Sequence, residues 1–308
     1  MTAPLVAVII PTYNGLPYLK EAVESIRAQT VDNWELIVVD DGSTDATVAW
    51  LESLRDDRIT IVQSEHTGNR SLIRNAGAAR SSARWIAFND SDDRWKPTKL
   101  ERQLAYHSSH PTLRWSYTHC DTIDGQGNSS VDPLRQAWIP YSGDILEEIL
   151  DRRALIALPS VIVERALFTE VGGFNEEQKW AEDWDLWIRL AEQCECGLLD
   201  ERLIDVRAHH STSYGRYEVQ LGLVQAYLAF AKRTRDVRLR NIAHKRAAYY
   251  SIDAADRLGM RRNWSAACVS LVTAWKLRPL RPFTYRAIAR FAVRRARAAI
   301  LSSTSPAA

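Results

Sequence analysis

The chain has 308 residues, 46% hydrophobic and 25% charged, a globular composition with room for one large domain plus an annex. No apolar run reaches the roughly 18–20 residues of a transmembrane helix, and the four cysteines have neither zinc-site spacing nor the density of a disulfide scaffold. The formal net charge of +2 hides a division: residues 1–215 hold 21 Lys and Arg against 34 Asp and Glu, and residues 216–308 hold 19 against 4. The last third is therefore expected to face something anionic, whether nucleic acid, a membrane or the acidic part of the chain itself. Met1-Thr2-Ala3-Pro4 has no basic segment and leads straight into a strand-like run, which argues against a signal peptide. A cytoplasmic protein with reduced thiols is expected.

Leu5 to Ile10 is a Val- and Ile-rich run of the kind found in a strand buried on both faces, ended by Pro11-Thr12-Tyr13-Asn14-Gly15. Tyr18, Leu19, Ala22, Val23 and Ile26 then recur at helical spacing. Leu36 to Val39 predicts a second strand, stopped by Asp40-Asp41-Gly42-Ser43, and Thr44-Asp45 opens a helix through Leu54. A third strand is expected over 59–62, a helix over 70–81 and a fourth strand over 86–88. This alternation predicts a mostly parallel sheet flanked by helices, with ligands at the C-terminal strand ends, where Asp41 and Asp90 both fall.

The fourth strand runs into Asn89-Asp90-Ser91-Asp92-Asp93. Carboxylates this close repel one another, and a fold tolerates them best where a cation shares the site. Asp90 and Asp92, two apart at a strand end, can straddle one ligand. Hard cations such as Mg²⁺ or Mn²⁺ prefer such oxygens and commonly bring a diphosphate. The competing reading is an Asp-rich turn, with Asp93 as a helix cap.

Beyond it, a helix is expected over 97–107, a strand over 114–119 and a turn-rich stretch over 121–140, with Asp124-Gly125-Gln126-Gly127-Asn128 as its flexible loop. A helix over 145–150, a strand over 160–163 and a short helix over 165–171 closed by Gly172-Gly173 follow. The helix over 182–192 has Trp184, Trp187, Ile188 and Ala191 as its buried stripe. From Tyr217 the pattern is helical: about 217–233, 237–258, 263–277 and 283–301. Three regions result: an α/β domain over 1–215, a basic helical region over 216–301 and a disordered tail over 302–308.

Taken together the motifs resemble inverting family 2 glycosyltransferases of the A-type nucleotide-sugar-binding fold, over roughly residues 5–215. Val8-Ile9-Ile10-Pro11-Thr12-Tyr13-Asn14 is similar to the family's opening strand and nucleotide-contacting loop, and Val38 to Asp45 to its second strand, whose later Asp, here Asp41, would bind the base. Arg74-Asn75-Ala76-Gly77 resembles the helix whose Arg approaches the nucleotide. Phe88 to Asp93 resembles the acidic metal motif, and Gly172-Gly173-Phe174 with Glu182-Asp183 the acceptor-side region that carries the base.

The resemblance implies a divalent cation (Mn²⁺ or Mg²⁺) at Asp92, Asp90 toward the ribose, and a nucleotide-sugar contacted by Pro11, Thr12, Tyr13, Asp41 and Arg74. It also implies Asp183 as general base, for which the alternative is a carboxylate stabilising a helix N-terminus, as Glu182 and Asp185 would. Val206-Arg207-Ala208-His209-His210 is similar to the family's Arg-x-His segment and makes His209 a candidate metal ligand, with a surface pair as the alternative. The partners implied are a nucleoside-diphosphate sugar and a glycan or lipid-linked acceptor of cell-surface glycan biosynthesis. No nucleic-acid recognition motif is present, so nucleic acid is not expected. The alternative is a nucleotide-sugar-binding or membrane-assembly module without transfer activity. For the last helix, with Arg286, Arg290, Arg294 and Arg297 on one face and Tyr285, Ile288 and Phe291 mostly opposite, two readings stand. It is either scaffold with its arginines in water, or a peripheral attachment to the anionic inner face of the cell membrane.

Overall fold

A computed structural model of the chain describes residues 4–131, 139–208, 216–279 and 281–303. The chain divides into two compact units, one of residues 1–179 with 186–212 and one of 180–185 with 213–308.

The first unit is built on one sheet. Strand β1 (Val6–Thr12) lies at its centre because nearly every side chain along it is apolar and buried. It pairs in parallel with β2 (Trp34–Asp40), Val8 facing Leu36, and with β4 (Trp85–Phe88), Val8 facing Ala87. β3 (Ile59–Gln63) adds outside β2, also parallel. The helices between these strands, α1 (Leu16–Arg27), α2 (Thr47–Ser53) and α3 (Arg70–Ala78), fall where the periodicity predicts. α1 buries Leu19, Ala22, Val23 and Ile26 against the sheet. α3 begins at Asn69, whose side chain accepts the Ser71 and Leu72 N–H groups, a cap that satisfies two otherwise unpaired donors. Near its C-terminal end Gly77 touches the sheet: a Cβ there would stand 2.6 Å from Ile9 Cγ2 and 2.9 Å from Val39 Cγ2. No residue but glycine lets α3 lie this close to β1 and β2.

The second half of the sheet is mixed. β8 (Ile162–Glu164) inserts antiparallel between β4 and β6 (Trp115–Ile123), and β9 (Gly197–Arg207) runs parallel to β6 with register shifts around His119. The two-residue β5 (Arg94–Trp95) closes the edge antiparallel to β9, giving the order β3-β2-β1-β4-β8-β6-β9-β5. The remaining helices of this unit are α4 (Lys99–Ser109), α5 (Leu146–Leu150) and α6 (Arg165–Glu170). α7 (Glu182–Ala191) has its first residues in the second unit and Leu186 onward in the first. Trp187 is buried and stacks on Trp115, so it belongs to the core as its helical spacing predicts.

Two expectations change here. Asp93 caps no helix: β5 follows it directly, and α4 begins only at Lys99. The 124–128 segment is an ordered turn between β6 and β7 (Ser129–Ser130), because Asp124 Oδ1 accepts the N–H groups of both Gln126 and Asn128 at 2.9 Å.

The second unit is helical: α8 (Tyr217–Arg233), α9 (Val237–Met260), α10 (Trp264–Leu277) and α11 (Pro282–Ser303). Asp236 caps α9 through the Arg238 and Leu239 N–H groups. Small residues (Ala248, Ala255, Ala267, Ala274, Ala287) let α9, α10 and α11 approach around Ile252, Leu258, Leu271 and Phe291. α11 turns Thr284, Ala287 and Phe291 inward, leaving Tyr285 and Ile288 outside, so its packing face differs from the one its sequence suggests. Arg290 and Arg294 both pair with Asp256 of α9, at 3.4 and 3.1 Å. The helix reaches Ser303, two residues into the expected tail; the rest of that tail lies outside the described residues. Among the described residues no helix is long and apolar enough to cross a membrane.

Candidate active site

The loops after β1, β2 and β4 leave the same edge of the parallel half-sheet, which brings residues 13–15, 41–46 and 89–93 together. Asp90, Asp92 and Asp93 each offer a carboxylate oxygen, and these oxygens lie within 4.8 Å of one another. Two buried guanidinium groups flank the cluster. Arg74 of α3, 1% exposed, donates from Nη2 to Asp90 Oδ1 at 2.6 Å. Arg207, at the end of β9, donates its backbone N–H to Asp93 Oδ1 (2.8 Å) and its Nε to the Asp92 carbonyl (2.9 Å). The same guanidinium reaches Glu21 of α1 at 2.6 Å and the Asp124 carbonyl at 3.2 Å. Asp93 is thus turned inward and taken up by β9, whereas Asp90 and Asp92 remain partly exposed. Partly exposed hard oxygens held by rigid neighbours fit Mg²⁺ or Mn²⁺.

A second cluster lies at the ends of β1, β2 and β3. The Asp41 N–H donates to the Thr12 carbonyl at 2.9 Å. Asp41 Oδ1 accepts the N–H and hydroxyl of Thr67 (2.7 and 3.0 Å), and Oδ2 accepts the Gly68 N–H (2.8 Å). His66 Nδ1 lies 2.9 Å from the Asp41 carbonyl and 3.1 Å from Oδ2. Its ring stacks on Tyr13 with centroids 3.9 Å apart. Gly42 makes this possible: it takes a φ of +78°, and a Cβ on it would meet the His66 N at 2.8 Å. Pro11 sits in β1 opposite Val39, and the buried Thr12 Oγ1 has no hydrogen-bond partner. Asn14 ties the loops together, its side chain accepting the Thr44 N–H at 2.8 Å.

α3 links the acidic cluster to the segment that leads toward α7. Next to Arg74, Asn75 accepts the Phe174 N–H and donates to its carbonyl, both at 2.9 Å. Gly173, at φ +66°, leaves room for that carboxamide. Ser71 donates to the Gln178 carbonyl at 2.8 Å. Within the second unit, Ala181 holds a left-handed backbone (φ +54°) just before α7, and Asp183 Oδ1 accepts the Trp184 N–H at 2.8 Å. Asp183 is partly exposed, whereas Glu182 and Asp185 are buried. The Arg216 guanidinium lies 4.6 Å over the Trp180 ring. His209, expected as a metal ligand, lies outside the described residues.

Three site residues escaped the sequence reading. Arg207 entered only as the first residue of an Arg-x-His segment, because the five charges of Asp200 to Arg207 hide a strand. Glu21 reads as an ordinary charge on an amphipathic helix. His66 sits in a polar loop with no motif, and only its place eight residues before Arg74 on the same connection could have drawn notice.

Residues 7–129 match the model of "Glycosyl transferase family 2". A Rickettsia felis protein described as an uncharacterized glycosyltransferase is 32% identical over 229 residues, 72% of this chain and 37% of that protein. A Bacillus subtilis protein that carries the name teichuronic acid biosynthesis glycosyltransferase TuaG is 43% identical over 105 residues, 33% of this chain and 42% of that one. The chain therefore spans less than half the length of these relatives. Among solved structures, S. aureus TarS 1-349 in complex with UDP superposes with a TM-score of 0.71 at 19% identity, over 94% of this chain and 88% of that one. The mannosyltransferase PcManGT from Pyrobaculum calidifontis, in complex with GDP-Man and Mn²⁺, gives 0.61 at 19% identity over 95% and 81%.

Proposed function

We propose, for a chain that belongs to glycosyltransferase family 2 and has its A-type fold, a non-processive inverting transfer of a sugar from a nucleoside-diphosphate donor to a hydroxyl acceptor. The observation that carries this reading is the cluster of Asp90, Asp92 and Asp93 at the parallel strand ends with Arg74 held against it. In the reaction the acceptor oxygen attacks the anomeric carbon from the face opposite the diphosphate, the bond from that carbon to the diphosphate oxygen breaks, and the hydroxyl proton leaves. Asp183 takes that proton; it is the partly exposed carboxylate at the start of α7. Arg74 orients Asp90 toward the donor, and Pro11, Thr12, Tyr13 and Asp41 contact the nucleotide. Asp92, with Asp90 beside it, would hold a divalent cation, Mn²⁺ or Mg²⁺, and the chemistry it would supply is neutralisation of the diphosphate charge.

The donor class has support from the neighbours of the same fold that hold UDP, UDP-GlcNAc and GDP-Man. A cell-envelope glycan or its lipid-linked precursor as acceptor has support from the name of TuaG. The basic second unit, with Tyr285, Ile288 and Val293 exposed on the same helix as Arg286, favours attachment to an anionic membrane surface where such an acceptor resides. The deciding experiment is a panel of nucleoside-diphosphate sugars with Mn²⁺ or Mg²⁺, reading release of the nucleoside diphosphate with and without candidate glycan acceptors. Binding of a donor with no release under any condition would favour a binding module over an enzyme. An NMR spectrum of the product showing the donor's anomeric configuration would refute the inverting mechanism.

A further inference from the structure

We propose that His66 occupies the nucleobase subsite of the free protein, so that the donor's base must displace its imidazole. This rests on the donor reading above and extends it to a residue that controls access to the base site.

A carboxylate has about four acceptor positions. At Asp41 three of them are filled by the Thr67 N–H, the Thr67 hydroxyl and the Gly68 N–H, and the His66 ring edge closes the fourth side, 3.1 Å from Oδ2. The two backbone donors cannot leave without unfolding the 66–68 turn. The imidazole can leave: its side chain is 48% exposed and pivots on a single residue. The face of Tyr13 is taken by the same ring. At 3.9 Å between centroids nothing fits between the two, since a base inserted there needs about twice an aromatic stacking distance. Because the Asp41 carbonyl can only accept, Nδ1 carries the hydrogen and acts as an N–H donor at this edge.

His66 therefore presents Tyr13 with a flat ring and Asp41 with an in-plane N–H. These are the two features that a base with a ring N–H, such as uracil, would present to the same pair. Occupation by the imidazole lowers the fraction of protein ready to bind, and the apparent dissociation constant rises in proportion.

The sign of the effect distinguishes this from an ordinary contact. His66→Ala is expected to bind UDP about tenfold more tightly than the parent if the ring fills the subsite about nine-tenths of the time. Uridine, which lacks the diphosphate, should show the same gain, because only the base competes. Tyr13→Ala should weaken both. Equal or weaker UDP binding by His66→Ala, with the parent binding normally, would overturn the placeholder role. Failure of the parent and both variants to bind any nucleotide would instead overturn the donor reading. As a measurement on the unaltered protein, the His66 imidazole resonances should lose their ring-current shift from Tyr13 when uridine saturates the site. Unmoved resonances would refute the displacement.

Discussion

The backbone N–H of Arg207 donates to the carboxylate of Asp93 at 2.8 Å, so the last residue of β9 is bonded directly to the acidic loop that follows β4. The same residue holds the Asp92 carbonyl and the Asp124 turn, and its own charge is met by Glu21. Arg207 thereby fixes the Asp93 carboxylate and the Asp92 backbone from one side, and Arg74 holds the Asp90 carboxylate from the other.

Glu21→Gln should loosen this clamp while leaving Arg207 in place. Replacing a residue that orients metal ligands typically costs about tenfold or more in metal affinity. We expect that loss for Mn²⁺, followed by electron paramagnetic resonance, with an unchanged circular dichroism spectrum. Parental Mn²⁺ affinity in the variant would show that the loop holds itself.

Asp92→Asn keeps the shape of the loop and removes one charge. Transfer should fall by about two orders of magnitude or more, and donor affinity should stop responding to Mn²⁺. Full activity of this variant in EDTA would exclude a cation at Asp92.

Asp183→Asn should bind donor and Mn²⁺ as the parent does and lose transfer, since general-base assistance contributes about 10²–10⁴-fold. Transfer near the parental rate would move the base elsewhere, with Glu182 and Asp185 next to be replaced.

His107 gives a pH dependence that is separate from the site. It is buried on α4 between Ser116 Oγ (2.9 Å) and the Leu113 carbonyl (3.1 Å), and burial first, then the nearby Arg84 charge, pushes its pKa from 6.5 down to about 4. The folded state holds it neutral while the unfolded chain takes up a proton below 6.5. Stability is therefore unaffected above that value and is lost as pH falls from 6.5 toward 4. At pH 5 the loss is about 2 kcal/mol. His107→Gln should remove this portion in urea titrations at pH 7 and pH 5; an identical pH response in both proteins would exclude His107 as its source.

For the second unit, sedimentation with anionic vesicles and release by high salt are expected, each basic group near the surface contributing about 1 kcal/mol. Tyr285→Ser with Ile288→Ser should weaken this while leaving the buried Phe291 in place. Equal binding to neutral vesicles, or none to anionic ones, would leave α11 as scaffold.

The first four strands and their helices are readable because each is a continuous apolar run or a 3.6-residue stripe, and Asp41 and Asp90 inherit their place from those strand ends. The second half of the sheet is not. β8 has three residues and β5 two, and nothing in so short a run says which way it points. β9 carries charges whose partners lie on other elements: Asp205 meets Arg94 of β5 at 3.3 Å, Arg202 meets Asp121 of β6 at 3.1 Å, and Glu201 pairs with Arg102 of α4. Arg207 and His66 matter through partners far away in sequence: Glu21 is 186 residues from Arg207, and Asp41 is 25 from His66. Local pattern does not register such contacts.

The missing side chain of Gly77 sets how deeply α3 seats on the sheet, and the seating sets where Arg74 ends, three residues earlier on the same helix. A methyl group at this spot would lift the helix and slide the guanidinium off Asp90, though residue 77 itself faces only Ile9 and Val39 of the sheet. Random mutagenesis scored by lost activity would return this glycine alongside the aspartates. Its disguise as a catalytic position would be exposed by asking whether the damaged enzyme still melts as one cooperative body.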